Sequence, residues 1–132
     1  ITGRVKDLFK TSKGKYVAPS PIEMMLSVNN DIEQTCVVGT ALPQPIAIIV
    51  LTHLGKAKSK EDLMSSLNLT LDIVNPKLDN HEKRHNFIVV SDEWTVENKL
   101  LTPTMKIKRN EIESIYKHKY LAWYDGKRIC FD

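Results

Sequence analysis

Glycine is scarce: the 132 residues contain five, and they are scattered. The glycine-rich loop whose backbone amides cradle nucleotide phosphates is therefore missing from this chain. Cysteine is scarcer still. Cys36 and Cys130 have neither metal-ligand nor redox spacing, so no metal site and no disulfide is expected. Cys36 lies in the apolar run Cys36-Val37-Val38 and reads as an inert core thiol. Long apolar runs are absent; the longest, Ile46 to Leu51, is strand-sized and far too short to cross a bilayer. No basic-then-apolar leader opens the chain. A reducing, cytoplasmic setting is expected, which leaves the intact protein free to sit at a membrane surface. The first residue is Ile1 rather than methionine, the mark of a piece of a longer polypeptide. Internal repeats and low-complexity segments are also lacking. The net charge is only +3, with lysines spread along the chain. A nucleic-acid module would show a stronger basic bias with interleaved aromatics.

What remains is ordinary for one compact domain: 42% hydrophobic and 27% charged residues. Residues 4–17 hold two strand-like runs broken by Ser12-Lys13-Gly14-Lys15, a β-hairpin with Gly14 at its turn. Pro19-Ser20-Pro21-Ile22-Glu23 reads as a helix start, with Ser20 as cap, Pro21 in first position and Glu23 closing a capping box. Strands are expected at residues 33–39 and 45–51, so continuously apolar that both sheet faces should be covered. Ser59 caps a long amphipathic helix carrying Leu63, Leu67, Leu71, Val74 and Leu78. Pro76 should interrupt it, with Asn75-Pro76 opening a second helical piece. A third strand is expected at 87–90. After a polar loop through Trp94, Asn110 opens a last helix whose apolar face carries Ile112, Ile115 and Tyr116. The sum is an α+β domain: a small mixed three-stranded sheet with flanking helices and an N-terminal hairpin.

Several short motifs invite chemistry. His81-Glu82-Lys83-Arg84-His85 spells the zinc-protease pattern, yet its neighbours are polar where a catalytic zinc helix needs an apolar back. It reads as a solvated helix end. Asn68-Leu69-Thr70 fits a glycosylation acceptor but lies inside an amphipathic helix. Lys106, Lys108 and Arg109 crowd a helix N-terminus, where cations oppose the helix dipole; that placement points to a partner anion or a functional role.

Taken together, these segments resemble the small C-terminal domain of the superfamily of acyl-CoA synthetases, peptide-synthetase adenylation domains and luciferases. The likeness runs through Gly3-Arg4-Val5-Lys6-Asp7-Leu8-Phe9-Lys10, then Gly14-Lys15-Tyr16-Val17-Ala18-Pro19 and Ile22-Glu23, and closes on Lys106-Ile107-Lys108-Arg109. The long hairpin, and Thr104-Met105 where most relatives place Ser-Gly before the lysine, are similar to the long-chain fatty acid branch. Residues 123–132 match nothing in that pattern.

The resemblance implies one mobile domain over 1–132, starting at its hinge and lacking the large N-terminal adenylation domain. It implies an enzyme that joins a carboxylate to ATP, with Mg2+, releases pyrophosphate, and then passes the acyl group to CoA. Lys106 takes the place of the catalytic adenylation lysine and Lys6 that of the hinge. Arg4 and Lys10 take nucleotide-binding positions, and Gly14, Lys15 and Tyr16 form the hairpin along the CoA channel. The partners implied are its own N-terminal domain, fatty acid, ATP and CoA. The chain alone is expected to bind no cofactor and to be inert. A stand-alone basic interaction module, or one that binds nucleic acid, is the competing reading.

Overall fold

The computed structural model describes residues 8–40, 42–78, 86–125 and 129–131. Two short strands, β1 (Phe9–Lys10) and β2 (Tyr16–Val17), pair antiparallel and form the expected hairpin. Helix α1 (Pro19–Leu26) follows, then strands β3 (Ile32–Val38) and β4 (Ile46–Leu51). Helices α2 (His53–Ala57) and α3 (Lys60–Val74) lead to β5 (Phe87–Val89). Helices α4 (Arg109–Tyr116) and α5 (Tyr120–Tyr124) then lead to β6 (Ile129–Phe131). The sheet order is β3-β4-β5-β6, with β3 antiparallel to β4 and the other neighbours parallel.

The α+β architecture is the expected one, although among the described residues the sheet has four strands rather than three. The extra strand, β6, comes from the uninterpreted tail, where Ile129 is buried beside Phe87. Its three residues give too short a signal to stand out in sequence.

Both faces of the sheet are covered, as the continuous apolar strands require. Side chains alternate across a strand. Val37, Ala47, Ile49, Phe87 and Val89 accordingly pack under α1 and α3, against Ile22, Leu26, Leu63, Leu67 and Leu71. Cys36, Val38, Ile46, Ile48 and Ile88 face the other way, under Ile112, Tyr116, Tyr120, Trp123 and Trp94. Burial pushes the Cys36 thiol well above its ordinary pKa even though the Arg109 guanidinium pulls it down, so Cys36 is an unreactive core thiol.

Local chemistry sets the element ends. Ser59 Oγ accepts the Asp62 N–H at 3.2 Å and starts α3. The helix stops at Val74, and Asn75–Lys77 forms a single 3-10 turn. Pro76, which has no N–H and restricts its neighbour, accounts for that break. The second helical piece expected to open at Asn75-Pro76 is only this turn, and Leu78 beyond it is extended. The motif at 81–85 lies outside the described residues.

Two further expectations need correction. The capping box at Ser20 does not form: α1 begins at Pro19 with Ala18 as its cap and no side-chain cap bond. Glu23 is drawn instead to a stronger partner, Arg109, described below. Ile115 is 45% exposed and does not share the buried face of Ile112 and Tyr116. Helix α2 has no counterpart in the expectations. Thr52 caps it through the Gly55 N–H at 3.1 Å, and Gly55 is wedged against Asp31.

Candidate functional site

The lysine-bearing loop is a tight, internally bonded turn. The Thr102 N–H donates to the Lys106 carbonyl at 2.7 Å, and the Met105 N–H donates to the Thr102 carbonyl at 2.8 Å. Thr102 Oγ1 accepts the Lys106 N–H at 3.1 Å and lies 3.1 Å from Thr104 Oγ1. Below the turn, Leu101 and Ile107 form an antiparallel bridge, and the Lys108 N–H reaches the Leu100 carbonyl at 2.8 Å. Leu100 and Leu101 are buried and root the loop in the core. To close the turn, Met105 takes φ 66°, a left-handed conformation that is uncommon outside glycine. The backbone of Lys106 is thus fixed while its side chain is exposed. Among the described residues no carboxylate comes within ion-pair reach of its ammonium. A cation held out on a rigid stalk can serve an approaching anion without first breaking an internal pair.

Both flanks of Lys106 are fastened to β3, which among the described residues is an edge strand paired only with β4. Gln34 Nε2 donates to the Met105 carbonyl at 3.2 Å. On the other flank Arg109 opens α4. Its two terminal nitrogens donate to the two carboxylate oxygens of Glu23 at 2.8 and 2.9 Å, and Nη1 also reaches the Val37 carbonyl at 3.1 Å. Glu23 Oε2 in turn accepts the Val37 N–H at 2.7 Å. The pair therefore satisfies both outward-facing backbone groups of Val37 and blunts the sheet edge. Its side chains are only 12% and 13% exposed. The anion that a cation at the start of α4 calls for is, for Arg109, the Glu23 carboxylate.

The hairpin lies at the other end of β3. Gly14 takes φ 80°, and its N–H donates to the Thr11 carbonyl at 3.0 Å. Here glycine is required by the turn. Phe9 and Val17 anchor the hairpin in the core, and the Ser12 N–H donates to the Leu42 carbonyl at 2.9 Å. Phe9 also packs beside Gly39, just past the end of β3. Lys15 and Tyr16 are exposed, and the Lys10 ammonium sits 5.8 Å from the centroid of the Tyr16 ring. Lys10, Gly14, Lys15 and Tyr16 are thus brought together, apart from Lys106. Between Gln34 and Gly39 the strand covers roughly 16 Å at about 3.3 Å per residue.

Arg4 and Lys6 lie outside the described residues. The sequence signal that could have singled out Glu23 and Arg109 was the cation beside a helix N-terminus. The strain at Met105 had its hint in the replacement of Ser-Gly by Thr104-Met105.

This chain belongs to the family of AMP-binding enzyme C-terminal domains, whose pattern it matches over residues 6–128. It is 29% identical to a long-chain-fatty-acid–CoA ligase of Mycobacterium tuberculosis, a match covering 88% of this chain and 24% of that protein. It is 30% identical to human long-chain-fatty-acid–CoA ligase 6, over 94% of this chain and 20% of the relative. The fold is similar to that of the A-PCP didomain of carboxylic acid reductase from Segniliparus rugosus, solved in complex with AMP. The TM-score there is 0.75 at 28% identity, covering 92% of this chain and 18% of that one. The chain therefore spans about a quarter or less of the length of these relatives. A nucleic-acid-binding or stand-alone interaction module finds no support in these likenesses.

Proposed function

We propose that this chain is the mobile C-terminal domain of a long-chain fatty acid–CoA ligase and supplies the adenylation lysine, Lys106. The observation that carries the reading is the Lys106 stalk: a fixed backbone and an exposed ammonium with no ion-pair partner among the described residues. In the first half-reaction a fatty carboxylate oxygen attacks the α-phosphorus of ATP while the bond to pyrophosphate breaks. Both reactants are anions. A preorganised cation near the α-phosphate offsets their repulsion and stabilises the charge that develops. In the second half-reaction the CoA thiol attacks the acyl carbonyl and AMP leaves.

The separation of Lys106 from the Gly14 hairpin supports alternation between these steps. In this reading a rotation of the domain brings these two tools, set at opposite ends of β3, to one site in turn. Lys6 is the hinge in this reading, and Arg4 and Lys10 contact the nucleotide. With Lys106 withdrawn, the hairpin of Gly14, Lys15 and Tyr16 lines the CoA channel, where Gly14 lets the pantetheine arm pass close to the backbone. The acyl pocket and phosphate loop belong to the N-terminal domain. Among the described residues no three His, Cys, Asp or Glu side chains converge as metal ligands. We assign the ligands of the Mg2+ ion that accompanies ATP to its phosphates and to the N-terminal domain. No helix among the described residues is long and apolar enough to cross a membrane, and we place the ligase in the cytoplasm or at a membrane periphery.

The test is ATP–pyrophosphate exchange. The polypeptide that carries this chain together with its adenylation domain should exchange label only with a long-chain fatty acid present, and the isolated chain should show neither exchange nor micromolar ATP binding. Fatty-acid-independent exchange, or micromolar affinity of the isolated chain for ATP, would contradict the reading.

A further inference from the structure

We infer that Glu23 and Arg109 are positioning residues for Lys106: their ion pair, locked onto the edge of β3, fixes the lysine turn at the angle from which its ammonium meets the reacting phosphate. The inference rests on the reading of Lys106 given above. Its physical basis is the inequality of the two tethers. The Gln34 contact with the Met105 carbonyl is one exposed, neutral hydrogen bond, which water can replace at little cost. The Arg109 tether is two-pronged, charge-assisted and largely withdrawn from solvent. It also closes through the backbone of Val37 on both its N–H and its carbonyl.

Arg109 stands three residues past Lys106. The intervening residues are already committed, Ile107 to its bridge with Leu101 and Lys108 to the Leu100 carbonyl. Movement of the guanidinium is therefore passed directly to the lysine turn. A charge aimed at a transition state loses most of its effect when displaced by about 1 Å, a loss on the order of a hundred-fold. Glu23 and Arg109 touch no reactant in this account and act only through Lys106.

The experiment uses the intact polypeptide and times each half-reaction in a single turnover. Arg109→Lys keeps the charge but loses the fork. Adenylate formation at saturating ATP should slow by about a hundred-fold in this variant, with thioester formation from supplied acyl-adenylate within about two-fold of normal. Glu23→Gln should behave alike, and Glu23→Asp, which keeps the carboxylate, should recover part of the rate. Because both residues act through one lysine, Lys106→Ala combined with Arg109→Lys should be no slower than Lys106→Ala alone. Multiplying losses in the double variant, or equal losses in both half-reactions, would overturn the positioning role while leaving the role of Lys106 intact. A fully active Lys106→Ala enzyme would overturn both.

Discussion

Gly55 sits so close to Asp31 that a Cβ built on it would stand 2.7 Å from the Asp31 carbonyl oxygen. That oxygen accepts the Thr52 N–H at 3.0 Å and belongs to a polar knot around the start of β3. Helix propensity alone would have Gly55→Ala stabilise α2 by about 0.5–1 kcal/mol. The contact reverses the sign, because the atom in the way is backbone and cannot swing aside. We expect Gly55→Ala to destabilise the domain by about 1–3 kcal/mol, the usual penalty for overpacking. Urea unfolding measures it, and a midpoint at or above the parent's would refute the close approach.

Met105 makes the opposite prediction. Its side chain is 57% exposed, so truncation costs little packing. Glycine relieves the left-handed backbone at φ 66°. Met105→Gly should therefore stabilise the chain by about 1 kcal/mol, raising its Tm by roughly 4 °C for a domain of this size. An unchanged or lower melting temperature would remove the claim of strain beside Lys106.

Asp31 links stability to pH. Burial raises the pKa of this carboxyl, but the Lys58 and Ser66 hydrogen bonds and the Lys58 charge outweigh it, and the net shift is downward. Lys58 Nζ lies 2.9 Å and Ser66 Oγ 2.7 Å from Asp31 Oδ2. A carboxyl whose folded pKa is depressed contributes its stability above the unfolded value, near 3.9, and loses it as pH falls through the folded value. Asp31→Asn should thus be less stable than the parent at pH 7, and the gap should shrink below about pH 4. A gap that is constant from pH 7 to pH 3 would show that the charge is not what Asp31 contributes.

Much of this fold is legible in the sequence because it is written in local chemistry. Ser59 caps α3, Pro76 ends it, Gly14 turns the hairpin, and the unbroken apolar residues of β3 and β4 announce a sheet covered on both sides. What escapes is decided by contacts distant in sequence. Glu23 has the spacing of a capping box, but Arg109, 86 residues away along the chain, binds it with charge as well as hydrogen bonds. Helix α2 looks like a loop because glycine rarely favours a helix, and only the Asp31 backbone explains its presence. Strand β6 has too few residues to show a period. The candidate site divides in the same way. Lys106 and the Gly14 hairpin are named by resemblance, whereas the clamp behind Lys106 and the strain at Met105 are only hinted at in sequence and take their form from contacts and dihedrals that the fold sets.

The central claim is that Lys106 serves the adenylation step and leaves the site for the next. Single-turnover kinetics of Lys106→Ala in the intact polypeptide, with each half-reaction timed separately, test it most directly. Loss of one charge aimed at a transition state should slow acyl-adenylate formation by about 10²–10³-fold. Transfer from supplied acyl-adenylate to CoA should continue near the parent rate, because Lys106 is then remote. Equal loss in both half-reactions, or adenylate formation at the parent rate, would contradict the account.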